Sequence, residues 1–207
     1  MPLPIPRFAR PFLCIFLFLT ITIVGVSSHA AEPMQVVEKF HAALLAVMKA
    51  AEKNSVEQRY KELEPAISDA FNLDFMIRIA VGSRWKKTSD LEKAALVQAF
   101  KRMCVGTYAA RFNGYSGESF KTLKISDGPR KTKLVKTHIA RPEDTPVKLT
   151  YVMRQFGPEW HIIDVLLDGS ISEMAVRVSE YRNILRSQGA GALATALDKI
   201  ADRLLSP

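Results

Sequence analysis

Cysteine is nearly absent from this chain: Cys14 and Cys104 are the only two in 207 residues. Two thiols build neither a disulfide-stapled scaffold nor a four-cysteine zinc site. Histidine is scarce as well, with four in all. None of His41, His138 and His161 stands at metal-ligand spacing from another histidine, cysteine or acidic cluster, so no metal and no cofactor is expected. The short catalytic signatures are missing: there is no GxSxG, no P-loop, no HExxH and no EF-hand loop. Internal repeats and low-complexity tracts are missing too. Beyond residue 31 no apolar run is long enough to span a bilayer.

What is present is an ordinary globular mix, 48% hydrophobic and 24% charged, with a net charge of +8. A basic domain first suggests nucleic acid, but the amino end redirects that reading. Arg7 and Arg10 precede an uncharged run from Pro11 to Val26, and no acid occurs before Glu32. Ser28 and Ala30 then supply small residues at the −3 and −1 positions of a cleavage site. This is a secretory signal pattern, expected to be cleaved after Ala30; an anchor would want ~20 apolar residues. Cleavage leaves one domain, 31–207. It also removes two of the 29 basic residues, leaving 27 against 21 acidic, or +6. Cys104 becomes the lone thiol, and its apolar neighbours Met103 and Val105 imply a packed, inert one. An exported protein of this kind is expected in the periplasm, away from nucleic acid.

Helical periodicity dominates Pro33 to Phe112. Val37, Phe40, Leu44, Val47 and Ala51 fall on one face of a first helix. Ser55 with Gln58 forms a capping box for a second helix to about Ala70. A short third helix starts at Asn72 or Asp74 and ends near Gly82. Ser89 with Glu92 opens a long fourth, striped by Leu96, Phe100, Met103 and Thr107 and by Val97, Cys104, Tyr108 and Phe112. Apolar residues over so wide an arc imply burial on more than one side. From Gly117 the period is two, predicting strands at 118–127, 131–141, 146–156 and 159–167. In the third, Val147, Leu149, Tyr151 and Met153 share a face. In the fourth, Ile163, Val165 and Leu167 do. Short links predict an antiparallel meander. Ser170 with Glu173 is expected to cap a helix carrying Ile171, Met174, Val178, Tyr181 and Leu185, and a last helix follows Gly189. The class is α+β: a curved four-stranded antiparallel sheet covered by N- and C-terminal helices.

Candidate chemistry is sparse. His138 and His161, both on strands, could face each other, but mark a polar strand face more readily than a site. Asp164, between Ile163 and Val165, could be the buried base of a cone-shaped isomerase or hydrolase, with Tyr151 beside it. More often such an aspartate bonds a neighbouring backbone group. Apolar and aromatic material exceeds one plain core: Phe71, Phe75, Met76, Ile79, Trp85, Tyr108, Phe112, Tyr115, Tyr151, Met153, Phe156, Met174 and Tyr181 gather at the helix-to-sheet joins. Each alone is core; together they suit a sheet closed by helices over an apolar cavity, where methionine adapts to varied shapes. A third reading is a secreted interaction module whose apolar excess is only core. Basic residues form two groups: Arg84, Lys86 and Lys87 around Trp85, and Lys121, Lys124, Arg130, Lys131 and Lys133 on the first two strands and their turn. They are either a solvated face or a docking surface for acidic partners or anionic membrane, worth ~1 kcal/mol each near a charged bilayer.

Residues 59–82, RYKELEPAISDAFNLDFMIRIAVG, followed by Trp85, resemble the MlaC, or toluene-tolerance, family of periplasmic lipid-binding proteins. The resemblance continues through Phe100, Thr107-Tyr108-Ala109 and Tyr115-Ser116-Gly117-Glu118. It returns at Trp160 to Val165, at Asp168-Gly169-Ser170-Ile171-Ser172 and at Gly189, covering about residues 34–204. It implies a carrier, not an enzyme, that holds phospholipid acyl chains in a cavity between sheet and helices. Such a carrier would run between an inner-membrane ABC transporter and an outer-membrane partner, as a monomer in transient contact with membrane surfaces. The lipid contacts expected from the apolar faces are Phe75, Met76, Ile79, Trp85, Phe100, Met103, Tyr108 and Phe112 on the helices. Tyr151, Met153, Ile163 and Val165 join them from the sheet, and Met174, Val178 and Tyr181 from the penultimate helix. The segment GSISEMAVRVSEYRNIL departs from the common pattern and resembles the HpnM branch associated with hopanoid synthesis, which leaves phospholipid or a hopanoid-type lipid as cargo.

Overall fold

The computed structural model describes residues 32–206, residue 143 excepted; the expected signal peptide, 1–30, lies outside the described residues. Four helices come first, and each starts where a side chain satisfies its free backbone donors. Helix α1 (Pro33–Ala50) opens on a Glu32/Gln35 box and buries Val37, Phe40, His41, Leu44 and Val47. Helix α2 (Val56–Ala70) opens on Ser55/Gln58. Helix α3 (Leu73–Val81) is capped by Asn72, whose side chain accepts from the Phe75 N–H at 2.9 Å. A 3-10 segment (Gly82–Lys87) leads to α4 (Asp90–Arg111), which opens on Ser89/Glu92. Arg59 ties α2 to the far end of α4: its Nε donates to the Ala109 carbonyl at 2.9 Å. That carbonyl is one of the acceptors a helix end leaves without an internal partner.

The sheet follows: β1 (Ser119–Asp127), β2 (Lys133–Ala140), β3 (Val147–Phe156), β4 (Glu159–Leu167) and β5 (Ile171–Ser172), in the order β1-β2-β3-β4-β5 and antiparallel throughout. Five strands stand where four were expected. Asp168 and Gly169 both take positive φ, 48° and 77°, and the Ser170 N–H closes the turn on the Leu167 carbonyl at 3.1 Å. Turns of that hand match the twist of paired strands, so the chain reverses and Ile171 pairs with Leu167 before any helix begins. Helix α5 (Glu173–Ser187) is therefore capped by Ser172, whose Oγ accepts from the Ala175 N–H, not by Ser170. Ile171 is exposed on β5 and does not belong to the helical stripe. Helix α6 (Gly189–Leu205) packs along α4.

A bulge in β4 decides which residues face inward. Val152 pairs with Asp164 and Met153 with Ile162, leaving Ile163 as the extra residue. Side chains beyond the bulge keep the alternation of Val165; those before it change phase. Hence Ile162 is fully buried against the helices, and Ile163, expected inward with Val165, points away with partial exposure.

Candidate functional site

Helix α4 and the inner face of the sheet do not meet along their whole length, and a cavity of about 220 Å³ lies between them. Cys104, Thr107, Tyr108 and Arg111, followed by Phe112, form its helical wall. These positions recur every three or four residues and so share one side of α4. The opposite wall is Ile139 of β2, Val147, Leu149 and Tyr151 of β3, and Val165 and Leu167 of β4. Those strand residues alternate, as one face of a sheet requires. Ile67, Phe71, Leu73 and Met76 close one end, and Glu173 and Arg177 of α5 close a side.

Part of the wall is an aromatic cluster backed by Phe40. Tyr108 stacks on Phe112 with ring centres 5.7 Å apart, and Phe40 meets Phe71 and Tyr108 edge to face at 5.1 and 5.4 Å. Tyr151 carries the one polar anchor of this cluster: its hydroxyl and His41 Nε2 are 2.9 Å apart and buried. Burial lowers the His41 pKa to about 4, so at neutral pH the imidazole is an uncharged hydrogen-bond partner. Burial likewise pushes the Cys104 thiol up to about 12, which makes it an inert wall residue and not a nucleophile.

Of the residues expected to contact lipid, Met76, Tyr108, Phe112, Tyr151 and Val165 line the cavity. Phe100, Met103, Met153, Met174 and Tyr181 are buried in the surrounding core and do not reach it. Phe100 shares the Cys104 side of α4 one turn earlier, where packing has closed. Phe75 leaves the site altogether, stacking edge-on against Phe156 at 5.1 Å and beneath Arg154. Trp85 and Val178 are half-buried outside the cavity, Ile163 is turned away by the bulge, and Ile79 is 43% exposed. Phe71, one of the aromatics expected at the helix-to-sheet joins, lines it as well, and so do Ile67, Leu73, Ile139, Leu149 and Leu167, which are not among the expected lipid contacts. Their signal was available in the same strand alternation and in the apolar end of α2, but core and cavity wall have identical patterns in sequence. Glu173 and Arg177 gave no such signal.

Asp164 is fully engaged. One carboxylate oxygen accepts from the N–H groups of Val165 and Met174 at 2.8 and 3.0 Å. The other accepts from the Ser172 hydroxyl. The residue thus joins β4, β5 and the start of α5 and does not line the cavity, so it does not stand where a base would meet a bound ligand. His138 and His161 do not face each other: β3 separates their strands, and His161 instead bonds the Asp69 carbonyl at 3.1 Å. Among the described residues, no group of three His, Cys, Asp or Glu could hold a metal ion, and no helix is long and apolar enough to cross a membrane. The basic groups are at the surface. Arg84, Lys86 and Lys87 lie exposed on the 3-10 segment; Lys121, Lys124, Arg130 and Lys131 lie exposed on the β1–β2 hairpin, where Lys133 pairs with Asp127 at 2.6 Å.

The family model described as "MlaC protein" matches residues 38–199. Among solved structures, the fold is similar to that of a phospholipid-binding protein from Ralstonia solanacearum, determined in complex with a phospholipid. The TM-score is 0.74 at 16% identity, over 85% of this chain and 100% of the other. No curated protein matches the sequence.

Proposed function

We propose that this chain, which belongs to the MlaC protein family, is a periplasmic lipid carrier, binding acyl chains in the cavity between α4 and the sheet and moving lipid between an inner-membrane transporter and the outer membrane. The observation that carries this reading is the cavity itself: a gap walled by leucine, isoleucine, valine and aromatic rings from two faces of the fold. Burying a CH₂ is worth ~0.8 kcal/mol, so a sixteen-carbon chain carries roughly 12 kcal/mol of gross transfer free energy. No such chain crosses water at a useful rate without a dry sleeve. The fold shared with a protein solved with phospholipid bound supports the same reading.

A cargo held by that much burial must be released by something that weakens the sleeve. Docking of a partner on the exposed basic groups is the proposed trigger, drawing helices away from the sheet. Native mass spectrometry of protein purified without detergent tests the carrier reading. Stoichiometric lipid is expected; an empty monomer that also takes up no added lipid refutes it. Vesicle assays test the trigger: release as fast without partners as with them refutes docking-coupled transfer.

A further inference from the structure

Gly82 takes a positive φ of 64° at the end of α3 and turns the chain into the 3-10 segment, a backbone state that glycine adopts without steric cost. Buried Thr88 then pins the segment: its N–H and its hydroxyl both donate to the Arg84 carbonyl, at 3.1 and 3.0 Å. The stretch from Phe75 to Ser89 has no acid and four cations, Arg78, Arg84, Lys86 and Lys87. All four are exposed, and among the described residues none is in an ion pair. The next acids along the chain are already engaged: Asp90 pairs with Lys93 at 2.9 Å, and Glu92 accepts from Ser89 in the capping box. Apolar side chains stand among the cations. Trp85 packs against the core yet stays half-buried. Ile79 is 43% exposed, and Leu91, in the first turn of α4, is 83% exposed. Val176 is exposed on α5, the helix packed against α3.

A single exposed leucine needs no explanation; its company here does. A protein partner recognises apolar residues gathered into a core that its own side chains fill. In this stretch they alternate with cations along the chain, and a bilayer surface accepts that pattern without shape complementarity. Tryptophan is favoured at headgroup level, aliphatic tips enter the acyl boundary, and lysine and arginine reach anionic headgroups on their flexible stems. The β1–β2 hairpin also carries cations and exposes Leu123, but it has no tryptophan, and Asp127 holds its Lys133 at 2.6 Å. Helix α3 also supplies Leu73 and Met76 to one end of the cavity, so a bilayer seated on this stretch meets the helix that closes the site.

We propose that this stretch is a membrane-docking face: Ile79, Trp85 and Leu91 enter the interface of an anionic lipid bilayer while Arg84, Lys86 and Lys87 hold its headgroups. The proposal rests on the carrier reading for its purpose and names the partner of this one basic group, the bilayer itself.

The test is co-sedimentation of the protein, purified from the periplasm of expressing cells, with vesicles of phosphatidylcholine alone or containing about one-third phosphatidylglycerol. Binding is expected to be at least about tenfold stronger to the anionic vesicles and to weaken steeply with salt. Lys86→Gln with Lys87→Gln should weaken it about fivefold for each cation removed, or roughly twenty-five-fold together. Leu91→Gln, at an exposed position where the fold has little at stake, should weaken it several-fold. Lys121→Gln with Lys124→Gln removes the same net charge from the hairpin and should cost several-fold less. No binding to anionic vesicles, or equal losses from the two lysine pairs, overturns the proposal. So does a loss on the Lys86 and Lys87 pair with none on Leu91→Gln, which marks the purely ionic contact of a site for an acidic protein. Lipid content by native mass spectrometry is read separately. A lipid-loaded protein that ignores vesicles refutes the docking face and keeps the carrier reading; an empty protein that takes up no lipid refutes the carrier reading, and the vesicle result then stands or falls by itself.

Discussion

Acid should destabilise this protein through one buried residue. His41 is 4% exposed, and the groups that face it are aromatic: Tyr151 at hydrogen-bond distance, the Phe120 ring stacked at 4.5 Å, and Phe40 beside it. In the folded protein the imidazole stays neutral down to about pH 4, whereas in the unfolded chain it takes up its proton near pH ~6.5. Between those values the unfolded state binds more protons. Stability is therefore independent of His41 above pH ~6.5 and falls as pH drops through the window toward the folded value. At ~1.36 kcal/mol per pH unit the loss reaches about 3 kcal/mol by the lower end. Carboxylates also titrate near there, so the effect is isolated by difference. Replacing both partners, His41→Leu with Tyr151→Phe, removes the titration and the polar pair together and leaves no orphaned donor. Urea unfolding followed by tryptophan fluorescence, at steps from pH 7 to 4, should show wild type losing about 3 kcal/mol more than the double variant. Parallel losses would refute the assignment. Tyr151→Phe alone strands the His41 nitrogen and should cost about 1–3 kcal/mol at pH 7.

The β4 bulge predicts that neighbouring isoleucines differ sharply. Ile162→Ala should cost about 2–5 kcal/mol as a buried truncation, and Ile163→Ala no more than ~1; equal losses in urea melts would put the bulge elsewhere. Asp164→Ala removes the acceptor shared by Val165, Ser172 and Met174 and should cost about 1–3 kcal/mol, while the folded fraction keeps its lipid content on native mass spectrometry. Val165→Trp fills the cavity and should lower bound lipid per folded protein; unchanged lipid content would place the cargo elsewhere. Lys86→Glu with Lys87→Glu, both exposed, should leave stability within ~0.5 kcal/mol and slow low-salt transfer to partners or anionic vesicles. An unchanged transfer rate would clear that group of a docking role.

The helix starts were legible because capping is local. Ser55/Gln58, Asn72 and Ser89/Glu92 each satisfy donors within three or four residues, and a local rule needs no knowledge of the fold. The main strand ranges were legible for the same reason, from period and from turn residues. The misreadings share a different cause. Asp168-Gly169 has the composition of a hairpin turn, yet the Ser170/Glu173 spacing imitates a helix start, and only pairing with Leu166 and Leu167 decides between them. Ile163 was misplaced because a bulge inserts one residue without a composition signal, and every side chain before it changes face. In the site, Tyr108, Phe112, Tyr151 and Val165 were found because apolar faces are periodic. Phe100, Met103 and Met153 were grouped with them because packed core and cavity wall look alike along the chain.

Order, the caps of α2 to α4, strand period and the resemblance to a lipid-binding family are properties of residues close together in sequence, and the sequence alone determined them. Where the sheet and α4 part, which apolar residues face the gap, and that Arg177 and Glu173 of α5 stand on its wall depend on contacts between segments far apart. Those contacts are set by how whole helices and strands fill space against one another. A gap in packing is a property of the assembled elements, and no single segment carries it.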